Sequence, residues 1–319
     1  MKSTRIRLNY FPFIMFSIFI GIFPFITQNK YYLSVGTFLG INTLLILGLV
    51  MIMGFGGLPS LGHGAFYGFG AYVTSILNTK LELSPLIGLV GALLLTGIVA
   101  LIIAIPTVKL KGHYLALVTL GLSFIFYTLG VECELLTGGI DGITRIQRFP
   151  FVTTDRGYFL IIWLVTLFFL LLSFHIVNSR MGRALNATRE EEIAATVSGI
   201  NVQSYKVQAF VLGCVYAGIA GWQYAHYVTF ISPHCFTPHL SVVLVAVGML
   251  GGVRNIGGAL VGALVMTLIP EFLRAFGDFE ILIFGIMIVL VAMYMPEGIT
   301  KFIIQGLGKF IKFKKPYRA

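Results

Sequence analysis

Residues 85–105 read PLIGLVGALLLTGIVALIIAI, twenty-one residues without one charge. A helix rises about 1.5 Å per residue, so a run of this length crosses the roughly 30 Å of a bilayer's hydrocarbon. The whole chain has the same character. Of 319 residues, 57% are hydrophobic and 11% charged, where a soluble domain carries about 25% charged residues. Such a chain cannot cover a water-facing surface with polar groups. It reads as an all-α polytopic membrane protein.

On either side of that run, comparable segments lie near 10–27, 33–53, 61–77, 113–131, 158–178, 207–229, 240–253, 257–273 and 280–295, which makes about ten spans. Those at 61–77, 240–253 and 257–273 are short or glycine-broken. The segment 10–27 follows Lys2, Arg5 and Arg7 as a signal peptide would. It is long, contains Pro12 and Pro24, and runs into Thr27-Gln28-Asn29-Lys30 with no small-residue cleavage site, so it reads as an uncleaved first span.

The net charge of +10 reports orientation rather than nucleic acid. With both termini cytoplasmic, sixteen of the 22 Lys and Arg fall inside; Lys30, Lys80, Arg145, Arg148, Arg156 and Arg274 fall outside. That asymmetry supports an N-in/C-in map with an even number of spans. The chain reads as one domain, with an inside loop at about 179–206. A basic tail at about 297–319 is expected to lie on anionic lipid headgroups.

Enzyme signatures are absent. There is no GxxxxGK[ST], no HExxH and no GxSxG. Glu271 is the one acid near a span interior, whereas proton-driven carriers hold Asp, Glu or His relays in the membrane. The three cysteines, Cys133, Cys214 and Cys235, form no CxxC. Cys133 and Cys235 both map outside, but sequence supplies no distance between them. His226, His234, Cys235 and His239 cluster late. No carboxylate joins them, so they read as ordinary polar residues of an outer loop and no metal is expected.

Glycines say more. Residues 54–70, GFGGLPSLGHGAFYGFG, interrupt the region between the second and third spans. Irregular backbone at membrane depth must be buried in protein or line a watery cavity. Gly57, Ser60, Gly62, His63 and Gly64 are therefore candidates for a translocation pathway. The competing reading is close helix packing through small residues, which Gly64–Gly68 and Gly258–Gly262 would permit. Gly57 and Gly62 also echo Gly252 and Gly257, a thin hint of a parallel repeat. In the outside loop of about 132–157, Gly138, Gly139 and Asp141 contact an external partner, shape an outer gate or form a plain turn.

The inside loop carries the strongest signal. Thr188 is expected to cap a helix over 188–198, with Glu191 completing a capping box and Glu190, Glu191 and Glu192 at its positive end. Gly199 fits the position just past its C-terminus. Ala194 and Ala195 would let a partner approach closely, and the flanking charges would set its register.

This loop resembles the ATPase-docking loop of ABC importer permeases, whose general pattern is EAA-x-x-x-G; Ala194, Ala195 and Gly199 keep the spacing. It is more similar to the LivM-type subunit of branched-chain amino acid permeases, where the loop reads GRAL-x-A-x-R-[ED]-x-E-x-AA-x-x-x-GI. Gly182, Arg183, Ala184, Arg189, Glu190, Glu192, Ala194, Ala195 and Gly199 fit that pattern. Further segments resemble the family in its order, from Ser60-Leu61-Gly62-His63-Gly64 and Thr137-Gly138-Gly139 to Met295-Pro296-Glu297-Gly298.

The resemblance implies a permease subunit in the bacterial inner membrane, itself without catalytic residue or cofactor. Its implied partners are a second, LivH-type permease, two cytoplasmic ATPases and an extracytoplasmic substrate-binding protein. The implied substrates are hydrophobic amino acids; related subunits serve urea, short amides or sugars. An ion-coupled carrier would need charges within the spans, and a membrane enzyme would need His and Asp clustered at one face.

Overall fold

The computed structural model describes residues 11–300 apart from 28, 111, 151, 153, 274–276, 278 and 295–297. Most of the basic tail at 297–319 lies outside the described residues, as do Lys2, Arg5, Arg7 and Arg274. The described chain is helical, with a single antiparallel bridge between Ile143 and Ile231.

Each expected span is met by a helix. These are α1 (Phe11–Ile26), α2 (Lys30–Leu49), α3 (His63–Thr79), α4 (Pro85–Thr107) and α5 (His113–Glu132). A short α6 (Glu134–Thr137) follows, then α7 (Asp155–Asn178). Two helices, α8 (Arg180–Glu190) and α9 (Glu192–Val197), occupy the expected inside loop. The chain continues through α10 (Val202–Val228), α11 (Pro238–Gly251), α12 (Ile256–Leu273) and α13 (Glu280–Tyr294).

Among the described residues, six helical stretches are long and apolar enough to cross a membrane: Lys30–Phe55, Pro85–Thr107, His113–Glu132, Asp155–Asn178, Pro233–Gly251 and Ile256–Leu273. The 27 residues of α10 are less apolar than these. The reason is its position. It packs against α2, α3 and α4 and is the hub of the core, so it needs no lipid-compatible face. The outer helices are the reverse. Leu93 and Ile102 on α4, Phe124 and Ile125 on α5, and Leu164 and Phe168 on α7 are large, apolar and exposed. In water this would be an aggregation surface; in a bilayer it is the lipid-facing belt.

Small residues bring the central helices together. A Cβ at Gly70 of α3 would lie 2.2 Å from the Gly218 carbonyl oxygen of α10. One at Gly218 would lie 2.6 Å from Thr96 Oγ1 on α4. The Gly258–Gly262 pair likewise seats α12 against α11, where a Cβ at Gly251 would strike the Gly258 carbonyl at 2.1 Å. Small-residue packing therefore holds. The suggested repeat extends only to backbone conformation. Gly57 and Gly252 both take positive φ, but Gly252 opens a tight turn while Gly57 begins a longer break.

Contacts sort the loops into two ends. At one end Tyr31 donates to Glu271 at 2.6 Å, Asn78 Oδ1 accepts from the Gln147 amide at 2.7 Å, and Lys80 donates to the Leu135 carbonyl. At the other, Arg189 donates to the Gly54 carbonyl and Thr300 to the Gly251 carbonyl. No Asp, Glu, Lys or Arg is buried among the described residues.

Gly218→Val should destabilise the fold by about 1–3 kcal/mol through overpacking. Gly121→Val, with nothing within 4 Å of its Cβ position, should not. Melting temperatures of the detergent-purified variants check this contrast.

Candidate functional site

The first candidate region is a break in a helix. α2 continues as a π-helical turn over Val50–Phe55, and the chain then leaves helical geometry until His63. His63 Nε2 lies 2.8 Å from the Leu45 carbonyl oxygen. Leu45 is ten residues before Phe55, or about 15 Å back along the helix. Residues 56–62 therefore climb back into the bundle, and α3 starts at depth.

Its peptide groups are met by hydroxyls. The Leu61 amide donates to Thr119 Oγ1 at 2.9 Å, and Ser123 Oγ donates to the Leu61 carbonyl at 2.8 Å. The Gly64 amide donates to Ser241 Oγ at 3.0 Å, and the Ser123 and Ser241 oxygens are 3.3 Å apart. Ser241 stands in the first turn of α11, which is itself entered from the opposite end through a 3₁₀ turn at Pro233–Phe236. Two short helices thus present their N-termini to each other within the bundle. Ser60, His63 and Ser241 are at most 1% exposed, so this seam is closed in the conformation described. A Cβ at Gly64 would lie 2.7 Å from Ser241 Oγ, which leaves room for nothing but hydrogen.

The second region is the helix pair α8–α9. Ser179 caps α8, accepting from the Met181 amide at 3.1 Å and donating to the Ile176 carbonyl at 2.7 Å. Gly182 sits where any Cβ would be 1.9 Å from the Val177 carbonyl oxygen, so it lets the chain turn sharply out of α7. Ala184 and Leu185 are buried; Arg183 is exposed and donates to the Asn178 carbonyl at 3.3 Å. Arg189, in the last turn, reaches the Gly54 carbonyl at the end of the π turn. Burial pulls its guanidinium pKa down, and nearby Arg254 adds to this. Gly54, Phe55, Asn186, Arg189, Glu190 and Arg254 enclose a cavity of about 150 Å³.

Here the expected capping box is corrected. Thr188 lies inside α8, with its hydroxyl buried and unpartnered, and Glu191 in extended conformation is the N-cap of α9. The eleven-residue α8 wins because Ser179 starts it and its stripe of Met181, Ala184, Leu185 and Thr188 packs on the bundle. Glu190 ends α8 rather than starting α9.

Gly199 behaves as expected, with φ +81°. Its amide donates to the Thr196 carbonyl at 3.0 Å and the Ile200 amide to Ala195 at 3.1 Å, a Schellman ending. The two alanines differ. Ala194 is exposed, but Ala195 faces inward and is buried. Ile193 and Val197, four apart and so on one face, are 74% and 84% exposed. Glu192 pairs with Lys206 at 2.8 Å beside a cavity of about 490 Å³, also lined by Lys109.

The third region is at the opposite end. Gly138 and Gly139 take φ +76° and +59° after α6, and a 3₁₀ turn carries the exposed Asp141. Thr137 Oγ1 stitches the turn, donating to Gly130 and accepting from the Gly139 amide. Leu135 and Ile140, of the same segment, are exposed as well.

The family model for the permease component of branched-chain amino acid transport systems matches residues 31–292. The chain belongs to this family. It is 30% identical to the high-affinity branched-chain amino acid transport permease LivM of Salmonella typhimurium over 298 residues, covering 83% of this chain and 69% of that one. LivM of Escherichia coli matches at 30% over 295 residues with the same coverage. Escherichia coli LivH matches at 28% over 281 residues, 80% of this chain and 90% of that one. No solved structure matches the chain.

For a branched-chain permease component, the helix break is more tightly tied than its glycines foretell. Thr119, Ser123 and Ser241 escaped sequence reading, though hydroxyls in otherwise apolar helices were the available signal. Arg254 and Gly54 also escaped it. The late histidine run does not converge. His226 contacts Thr74 at 2.9 Å and the Gln147 carbonyl at 2.6 Å, while His234 faces Tyr127 and Cys235 faces Ser232. Cys133 and Cys235 are free thiols.

Thr119→Val keeps the shape and removes the acceptor for the partly buried Leu61 amide. The variant should lose about 1–3 kcal/mol, read as a lower melting temperature in detergent. An unchanged value would mean that the amide has another partner.

Proposed function

We propose that this chain is one of two related permease subunits of an ATP-driven importer of branched-chain amino acids, sited in the cytoplasmic membrane. Family membership carries the substrate class. The similarity to both LivM and LivH supports a second, LivH-type subunit beside it. ATP would be hydrolysed by two separate cytoplasmic subunits, and substrate delivered by an external binding protein.

The observation that supports coupling is on α9. Ile193 and Val197 form an exposed apolar pair on the most polar segment of the chain, flanked by the exposed Ala194. A monomer gains nothing from such a pair in water; a partner that buries it does. The docking role assigned to this loop fits that face, with Ala195 acting from beneath by seating α9 on the bundle. At the opposite end, Leu135, Ile140 and Asp141 suit contact with the binding protein. The helix break, closed by hydroxyls, is the element that would open the pathway past Gly57, Ser60, Gly62, His63 and Gly64.

The ten helices at the expected spans and the sorting of loops into two ends support ten crossings with both termini cytoplasmic. The end bearing Arg189 and Lys206 would face the cytoplasm, in line with the sixteen-to-six bias of Lys and Arg.

Val197→Arg should abolish co-purification of the ATPase while membrane insertion stays normal; retention at wild-type level would refute the docking face. For topology, single cysteines are placed at 3, 141 and 319 in a chain stripped of its own. An impermeant thiol reagent on intact cells should label only position 141. Labelling at 3 or 319 would overturn the orientation.

A further inference from the structure

The contact between Arg189 and Gly54 joins two of the candidate regions at the proposed cytoplasmic end. Gly54 lies within the π turn that ends α2, two residues before the chain breaks. π turns carry one residue too many for α geometry, and they recur where helices rearrange. In this one the Gly56 amide donates to the Met51 carbonyl and the Leu58 amide to the Ile52 carbonyl, both at or beyond π spacing. A cation is well placed beside these last carbonyls, at the negative end of the helix.

Arg189 holds the turn in two ways. Its Nη1 donates to the Gly54 carbonyl, and its stem lies on Gly57, where a Cβ would be 3.4 Å from Arg189 Cγ. Gly57 has φ +66°, so the backbone there is already in a conformation that side chains resist. Gly54 also touches the turn after α11, since a Cβ on it would lie 1.8 Å from the Val253 carbonyl oxygen. One side chain from α8 therefore meets the end of α2 and the first residues of the break, at the point where the α11–α12 turn also arrives. The adjoining cavity of about 150 Å³ gives the guanidinium room to move. Arg254 across it supplies a like charge that favours displacement.

We infer that Arg189 is the positioning residue through which movement of α8 and α9 reaches the helix break and so the transport pathway. The inference rests on the proposed docking of an ATPase at α9. When α8 shifts, the guanidinium draws the Gly54 carbonyl with it, the π turn re-registers, and the segment 56–62 moves against α5 and α11. Arg189 neither touches substrate nor docks the partner.

The test uses the complete importer in proteoliposomes: this chain, its second permease, the ATPases and the binding protein, with leucine as probe. Arg189→Ala should insert and retain the ATPase at wild-type level. It should hydrolyse ATP but spend about tenfold more ATP per leucine imported, in keeping with loss of a charged hydrogen bond. Arg189→Lys keeps a donor on a flexible stem and should recover most of the coupling. An unchanged ATP-to-leucine ratio in Arg189→Ala overturns the inference. So does loss of the ATPase, which would make Arg189 a docking residue, and so does failure to insert, which would make it a stability residue. If the wild-type chain retains no ATPase, the proposed function falls and this inference with it.

Discussion

Inside a bilayer a peptide group has no water to turn to, so each N–H and C=O must find a protein partner. Much of the structure is arranged around a place within the bundle where helical pairing stops. Residues 56–62 leave the helix, and Thr119, Ser123 and Ser241 supply the missing partners for Leu61 and Gly64. This explains why α3 and α11 are short, why hydroxyls punctuate α5 and α11, and why Gly64 has no room for a side chain. It also ties the break to two further helices, so a shift in one is felt by all three.

The apolar runs made most of the fold legible. Composition alone required hydrocarbon around the chain, and each run expected to span is met by a helix. Gly199 was legible because a left-handed helix ending has few solutions. The α8–α9 pair was harder. Thr188 and Glu191 satisfy a capping pattern, but Ser179 starts a helix nine residues earlier, and burial of Ala184 and Leu185 carries that helix through Thr188. Local signals could not rank the two starts, because the deciding contacts lie on other helices. The same holds for Ala195, which faces the bundle while Ile193 and Val197 face solvent, the reverse of what residue type suggests. Arg189 and Gly54 are 135 residues apart, and nothing in either local stretch announces their contact.

The interior bears on the energy source. A carrier driven by protons or ions needs ionisable groups in its pathway, and among the described residues no acid or base of full charge is buried. What the molecule offers instead is an apolar face on α9, a guanidinium running inward from the adjoining helix, and a π turn at its tip. These features suit force applied to α8 and α9 by a partner.

The most direct measurement is accumulation of radiolabelled leucine by proteoliposomes holding this chain with its second permease, ATPases and binding protein. The predicted result is uptake that requires ATP and the binding protein, that competes with isoleucine and valine, and that ceases when this chain is omitted. Uptake that persists without ATP and follows an imposed proton or sodium gradient would contradict it.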